Sequence, residues 1–179
     1  MRATGIVRRV DDLGRMVIPK EVRKTFRIGT GDPLEIFTNG NEIIFKKYKP
    51  FAAIEDYAND VASSLYDVFG HIVFITDDDT IVAIEGEKKK ALLQHKTKDV
   101  LPDFYDKKEE EFETAKKTIT INDESREVQG YVCVPIHVKE KVVGSIIVLG
   151  KNGAVDTSTL QSVRVQARMF KGQLESTNP

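Results

Sequence analysis

The sequence predicts an α+β protein in two parts, and three observations predict it. Charge is divided along the chain: 11 Lys and Arg face 6 Asp and Glu up to Pro50, and 16 face 22 beyond it, within a total of only −1. A basic front joined to an acidic back points to two modules with different partners. The hydrophobic period changes at the same place, from β-branched runs with turn signals to helical spacing alternating with strand hairpins. Finally, 179 residues at 40% hydrophobic and 31% charged have the balance of a globular protein, with room for one domain or two small ones.

In the front part, TGIVRRVD (4–11) reads as a strand, DDLG as a turn with Gly14 free to take positive φ, and RMVI (15–18) as a second strand. Pro19 has no N–H to donate and suits the first turn of a helix, so PKEVRKTF (19–26) starts one. Val22 and Phe26 would be its buried stripe, and Lys20, Arg23, Lys24 and Arg27 a cationic stripe on another face. GTGDP breaks the chain; LEIFT and EIIFKKY then flank NGN, a hairpin signal. About fifty residues bury little surface alone, so this part is expected to fold only as an oligomer, with strands of two chains interleaved.

From Phe51 the spacing becomes helical: Phe51, Ile54, Ala58, Val61, Leu65 and Val68 or Phe69 share one face, and Gly70 stops the helix. HIVFITD and TIVAIEG flank Asp77-Asp78-Asp79 as a hairpin. Residues 87–117 read as mostly helical and charged, and TITI (118–121) as a short strand. VQGYVCVPIHV and KVVGSIIVLGK flank KEK as another hairpin. Asp156 caps a last helix running to about Glu175, with Leu160, Val163, Ala167 and Phe170 or Leu174 inward. Helix, antiparallel sheet, helices, sheet, helix is the order of a single α+β domain.

Several functions are disfavoured by what the chain carries. The front has no apolar leader, and VVGSIIVLG (142–150) is too short to span a bilayer. A single cysteine, Cys133, allows no intrachain disulfide framework and suits a reducing cytoplasm. His71, His95, His137 and Cys133 have no metal-ligand spacing, and Asp77–Asp79 lacks a calcium-loop pattern. Neither a Walker loop, a nucleophile elbow nor a His–acid–Ser arrangement can be placed. No enzyme, metal or cofactor is expected.

What remains is the basic front. Arg8, Arg9 and Arg15 lie on its strands and turn, and Lys20, Arg23 and Lys24 on its helix. Arginine forks bind phosphate oxygens and reach guanine edges. Nucleic acid, an anionic lipid surface and a merely solvated face all fit such cations; the scarcity of interleaved aromatics favours duplex over single-stranded DNA.

The stretch TGIVRRVDDLGRMVIPKEVRKTFRI, followed by GDPLEIF and EIIFKKYKP, resembles the AbrB-type swapped-hairpin transition-state regulators. A globular part starting directly after KKYKP resembles the sporulation regulators of that group in which a GAF domain follows. The resemblance implies a swapped-hairpin domain formed by two chains over 1–50, and a GAF-like regulatory and oligomerisation domain, an antiparallel sheet with flanking helices, over 51–179. It implies binding of double-stranded DNA through Arg8, Arg15 and Arg23, with Arg9 adjacent. Lys24 stands at the last family arginine, keeping the charge but losing the fork. It further implies homo-oligomers, dimers of the front domain and tetramers of those. Regulation would both activate and repress genes of the developing spore, through DNA shape more than base reading. The protein would be cytoplasmic and nucleoid-associated. The GAF-like part would hold an unidentified small molecule or serve assembly through its first and last helices. The rival function is a swapped-hairpin antitoxin that binds DNA and a toxin protein.

Overall fold

The computed structural model describes residues 5–176 and divides into two units, one up to Tyr48 and one from Lys49 onward. Thr4, at the start of the first expected strand, lies outside the described residues.

The first unit contains α1 (Lys20–Thr25), β1 (Leu34–Asn39) and β2 (Glu42–Lys47). β1 and β2 pair antiparallel with Asn39 opposite Glu42, and Gly40 opens the two-residue turn at φ 58°. The stretches expected as strands at 4–11 and 15–18 are not strands among the described residues. A strand exists only when its backbone meets a neighbour's. Here only the turn closes, with the Gly14 N–H donating to the Asp11 carbonyl at 2.9 Å and the Asp11 N–H to the Arg15 carbonyl at 3.0 Å.

α1 is also shorter than its cationic pattern suggests. The Ile28 N–H reaches back to the Arg23 carbonyl and the Arg27 N–H to the Lys24 carbonyl, the crossed pair of bonds that ends a helix. Arg27 sits at φ 50°, so it leaves the Lys20–Arg23–Lys24 stripe instead of extending it. Nor is the apolar stripe buried: Val22 is half-buried and Phe26 is 63% exposed. No described residue of this unit is buried.

The second unit opposes this in every respect. A 3-10 turn, Pro50–Ile54, leads into α2 (Glu55–Phe69), which stops at Gly70 in the left-handed conformation (φ 67°). β3 (Ile72–Asp77) and β4 (Ile81–Glu85) follow, then short helices α3 (Lys89–Leu92) and α4 (Thr97–Val100), β5 (Glu111–Glu113), β6 (Lys117–Ile121), β7 (Glu124–Val128), β8 (Tyr131–Val138), β9 (Lys141–Leu149) and α5 (Thr157–Ser176). Five strands form an antiparallel sheet in the order β4-β3-β9-β8-β5, while β6 and β7 form a separate ribbon. Gly144 lets β9 approach β3 closely: a Cβ there would lie 2.1 Å from the Thr76 carbonyl oxygen.

Alternation along the strands divides the core into two layers. Val73 and Ile75 of β3, Ile146 and Val148 of β9, and Val132, Val134 and Ile136 of β8 meet α2 and α5. Ile72, Phe74, Ile147, Leu149 and Cys133 join Leu92, Val100, Leu101 and Phe104 of the crossover on the other side. On α5 Leu160, Val163 and Ala167 are buried as expected, both of the alternatives Phe170 and Leu174 are buried as well, and the Asp156 carboxylate accepts the Thr159 N–H at 2.8 Å as its cap. On α2 the ambiguity resolves to Phe69, since Val68 is 73% exposed.

The stretch 87–117 departs from expectation: α3 and α4 span four residues each. Left-handed Gln94 and Asp106, together with Pro102, interrupt it. The Gln94 N–H donates to the Ile81 carbonyl, and the Ile81 N–H to the His95 carbonyl, laying this segment along the outer edge of β4. The opposite edge strand, β5, has three residues, two of them glutamates. β7 is a strand that the sequence pattern does not announce. Its signal is Asn122-Asp123, both at positive φ (50° and 65°), the geometry of a tight hairpin turn.

Two buried groups lead to predictions. Burial pushes the Cys133 thiol up to about 12, so it packs as a small hydrophobe. A thiol reagent is expected to label the native protein only as fast as the second unit unfolds; reaction at a free-thiol rate would contradict this. His71, 6% exposed, accepts the Lys151 N–H at 3.5 Å through Nδ1. Burial lowers its pKa, partly offset by the charge of Asp156. With the folded value depressed, the unfolded chain takes the proton first as pH falls, so this contribution is full above about pH 6.5 and declines below it. Urea unfolding of His71→Gln is expected to show a flatter loss of stability between about pH 7 and pH 5 than the parent; an unchanged slope would clear His71 of the effect.

Candidate nucleic-acid interface

The expected DNA-facing cations all lie in the first unit, and all are exposed. Arg8 and Arg9 are adjacent on the segment that leads into the Asp11–Arg15 turn, and both are exposed. The Arg8 Nη1 donates to the Val7 carbonyl at 3.0 Å. Arg23 and Lys24 share the last turn of α1. Adjacent positions diverge by about 100° around a helix, so they splay around the axis; Lys20 and Arg23 or Lys24 make the closer rows.

Arg15 is held differently. It follows the Gly14 turn (φ 74°), and its Nε donates to the Asp11 Oδ2 at 2.8 Å while its side chain stays 71% exposed. The other carboxylate oxygen of Asp11 accepts the Arg15 N–H at 2.8 Å and the Leu13 N–H at 3.0 Å. Asp11 thus ties the turn on one oxygen and holds the guanidinium with the other. The Arg15 backbone bond, then the bond from its side chain, holds the Asp11 carboxyl below the usual carboxylate range. The charge pattern alone does not single out this residue. Its signal is an aspartate opening a turn three residues before a glycine, the place where a short acceptor stabilises the bend.

Apolar side chains surround these cations without cover. Val7 is 84% exposed, Val10 64%, Leu13 and Val17 74% each, and Ile36 and Ile43 62% and 68%. Cations and uncovered apolar residues thus occur together along one short segment. Such a surface can meet a polyanion with one set of side chains and a second protein layer with the other. In the second unit, Asp78 and Asp79 lie in the β3–β4 turn, and the carboxylate of Asp77, the last residue of β3, accepts the Asp79 and Thr80 N–H groups and faces the Lys49 Nζ at 3.4 Å. No described helix is long and apolar enough to cross a membrane.

Comparison with known proteins divides the chain between residues 52 and 53, close to the division between the two structural units. The family described as stage V sporulation protein T C-terminal, transcription factor, matches residues 53–175. The family described as antidote-toxin recognition MazE, bacterial antitoxin, matches residues 7–52. Stage V sporulation protein T of Bacillus subtilis is 37% identical over 177 residues, 98% of this chain and 99% of that protein. The transition state regulatory protein AbrB of the same organism is 58% identical over 50 residues, 28% of this chain and 52% of that protein. Its solved N-terminal DNA recognition domain matches at the same identity, covering 94% of that domain at a TM-score of 0.25, so this likeness rests on sequence. The GAF domain of an Acinetobacter phosphoenolpyruvate-protein phosphotransferase covers 69% of this chain and 82% of its own, with a TM-score of 0.53 at 11% identity. That likeness shows the fold: the second unit is GAF-like, as its order of elements suggested.

Proposed function

Since this chain belongs to the stage V sporulation protein T family, we propose that its basic front grips duplex DNA through Arg8, Arg9, Arg15, Arg23 and Lys24. The protein is a DNA-binding transcription regulator, and the observation that carries this is the match to a sporulation regulator over 98% of the chain. The exposed cations and uncovered apolar side chains of the first unit support the finer reading. Residues 1–50 act as the DNA-binding domain and 51–179 as the regulatory and assembly domain.

A unit that buries no described residue lacks the hydrophobic stabilisation a fold requires. A second copy laid against Val7, Val10 and Val17 would supply both the missing strand partners and the missing core. The functional species is then a dimer of front units, doubled to a tetramer through the second unit. Two such grips on one duplex raise avidity without any new interaction. Acting on DNA, it works in the cytoplasm on the nucleoid, as a regulator and not as an enzyme.

The test is duplex-DNA affinity of the whole protein against salt, with particle mass from light scattering. For B-DNA the log–log slope is about −0.9 per phosphate neutralised. A slope on the order of −6 or steeper at tetramer mass is the expected result; a flat dependence would remove DNA as the partner. The antitoxin reading draws on the description of the family matching residues 7–52. It is not favoured, because the relationship to a regulator continues through the second unit. Co-purification with a second small protein would reopen it.

A further inference from the structure

In the second unit, on the sheet face that carries α5, a cavity of about 470 Å³ opens between that helix, β8 and the segment leading into β5. Its size falls in the range of about 300–1,000 Å³ typical of small-molecule sites. Val134, Pro135 and Ala167, all buried, form an apolar floor. Arg164, Arg168 and Lys171 stand at i, i+4 and i+7 along α5 and so share one face above that floor. Lys108 and His137 line it as well.

The protein already places an anion in this basic wall. Glu110 meets Arg164 side-on, with Nε to Oε2 at 2.8 Å and Nη2 to Oε1 at 2.6 Å, a two-pronged carboxylate–guanidinium contact. The next cation, Arg168, has no ion pair among the described residues, and Lys171 reaches only Glu175 at 3.9 Å. Four lining cations against two lining carboxylates, Glu109 and Glu110, leave a positive excess. The unit around it carries a net negative charge, so the concentration of cations here runs against the local trend.

We propose that this cavity binds a small organic anion. Its apolar body would rest on Val134, Pro135 and Ala167, and its carboxylate or phosphate head on Arg168 and Lys171, with Glu110 competing for Arg164. A concave site with an apolar floor suits such a molecule better than a DNA backbone, which offers a convex row of phosphates and no apolar body. The site lies across the sheet from the Phe74, Phe104 and Ile147 cluster, which packs the opposite face.

The experiment is equilibrium titration of the full-length protein, without DNA, using 1-naphthoate and 1-naphthyl phosphate. The two share an apolar ring system and differ in head group, so their ratio distinguishes a carboxylate site from a phosphate site. Sodium sulfate at equal ionic strength controls for charge alone. Saturable binding of either probe, at one per chain and well above sulfate, is the expected result. Arg168→Ala is expected to weaken it tenfold or more, the effect of removing one charge-assisted hydrogen bond. Glu110→Gln, which removes the internal competitor, is expected to tighten it several-fold. Binding no better than sulfate, or equal affinity in Arg168→Ala, overturns the proposal, as does a cavity closed to both probes by a second copy of the chain. Because the titration contains no DNA, failure here leaves the regulator reading intact.

Discussion

Replacing Arg15 by alanine is expected to lower duplex-DNA affinity by about a hundredfold or more. In the proposed two-fold front unit the substitution removes two guanidinium groups from the proposed DNA surface, each worth about 1.5–3 kcal/mol when its hydrogen bonds are charge-assisted. The salt slope should also become shallower by about 2, at about 0.9 for each phosphate no longer neutralised. Arg15→Lys retains the charge but not the fork, so it should fall between the two. The informative control is Asp11→Asn. It keeps an acceptor for the Leu13 and Arg15 N–H groups while removing the carboxylate that holds the guanidinium. That variant should bind DNA at least as tightly as the parent. If Arg15→Ala left both affinity and slope unchanged, this arginine would have no place on the DNA surface.

Phe170→Ala carries the largest expected cost to stability. The ring is fully buried, stacks on Phe51 at 5.8 Å and meets the edge of Tyr57 at 4.9 Å, tying α5 to the 3-10 turn and to α2. Truncations of this kind cost about 3–5 kcal/mol, against a total stability of about 5–15 kcal/mol for a domain. The thermal midpoint of the second unit should drop by about 10 °C or more. Val68→Ala on the exposed side of α2 should change stability by less than about 0.5 kcal/mol. Equal midpoints for the two variants would mean that the helix layer does not stabilise the sheet as its packing indicates.

Legibility in the sequence follows how local the determining forces are. α2 and α5 can be read residue by residue because one continuous surface, the sheet, selects their apolar stripes. The β3–β4 and β8–β9 hairpins are legible for the same reason, with their turns marked by polar residues. The stretch 87–117 misleads because Lys and Glu favour helix locally, whereas the β4 edge and Pro102 impose another path from outside. β-branched composition suggests strands at the front, but pairing is a property of two segments, and the described residues of 5–18 are not paired into strands. Arg27 looks like a fourth member of the helical stripe because charge spacing says nothing of where a helix closes. Of the interface, the cations are visible as a pattern; the tie between Asp11 and Arg15 is not, because it arises from turn geometry.

The two edges of the large sheet have a consequence for how the protein can be stored and concentrated. Assembly by mass action requires many copies close together, the condition under which open β-edges recruit one another into fibres. Here one edge is already occupied by its own chain at Ile81, Gln94 and His95, and the other is three residues long and acidic. The proposed association of the basic fronts can therefore rise with concentration while the sheets offer little open edge for adding strand to strand. The same cover makes Gln94 and His95 a safeguard against aggregation, a duty distinct from regulation and from DNA.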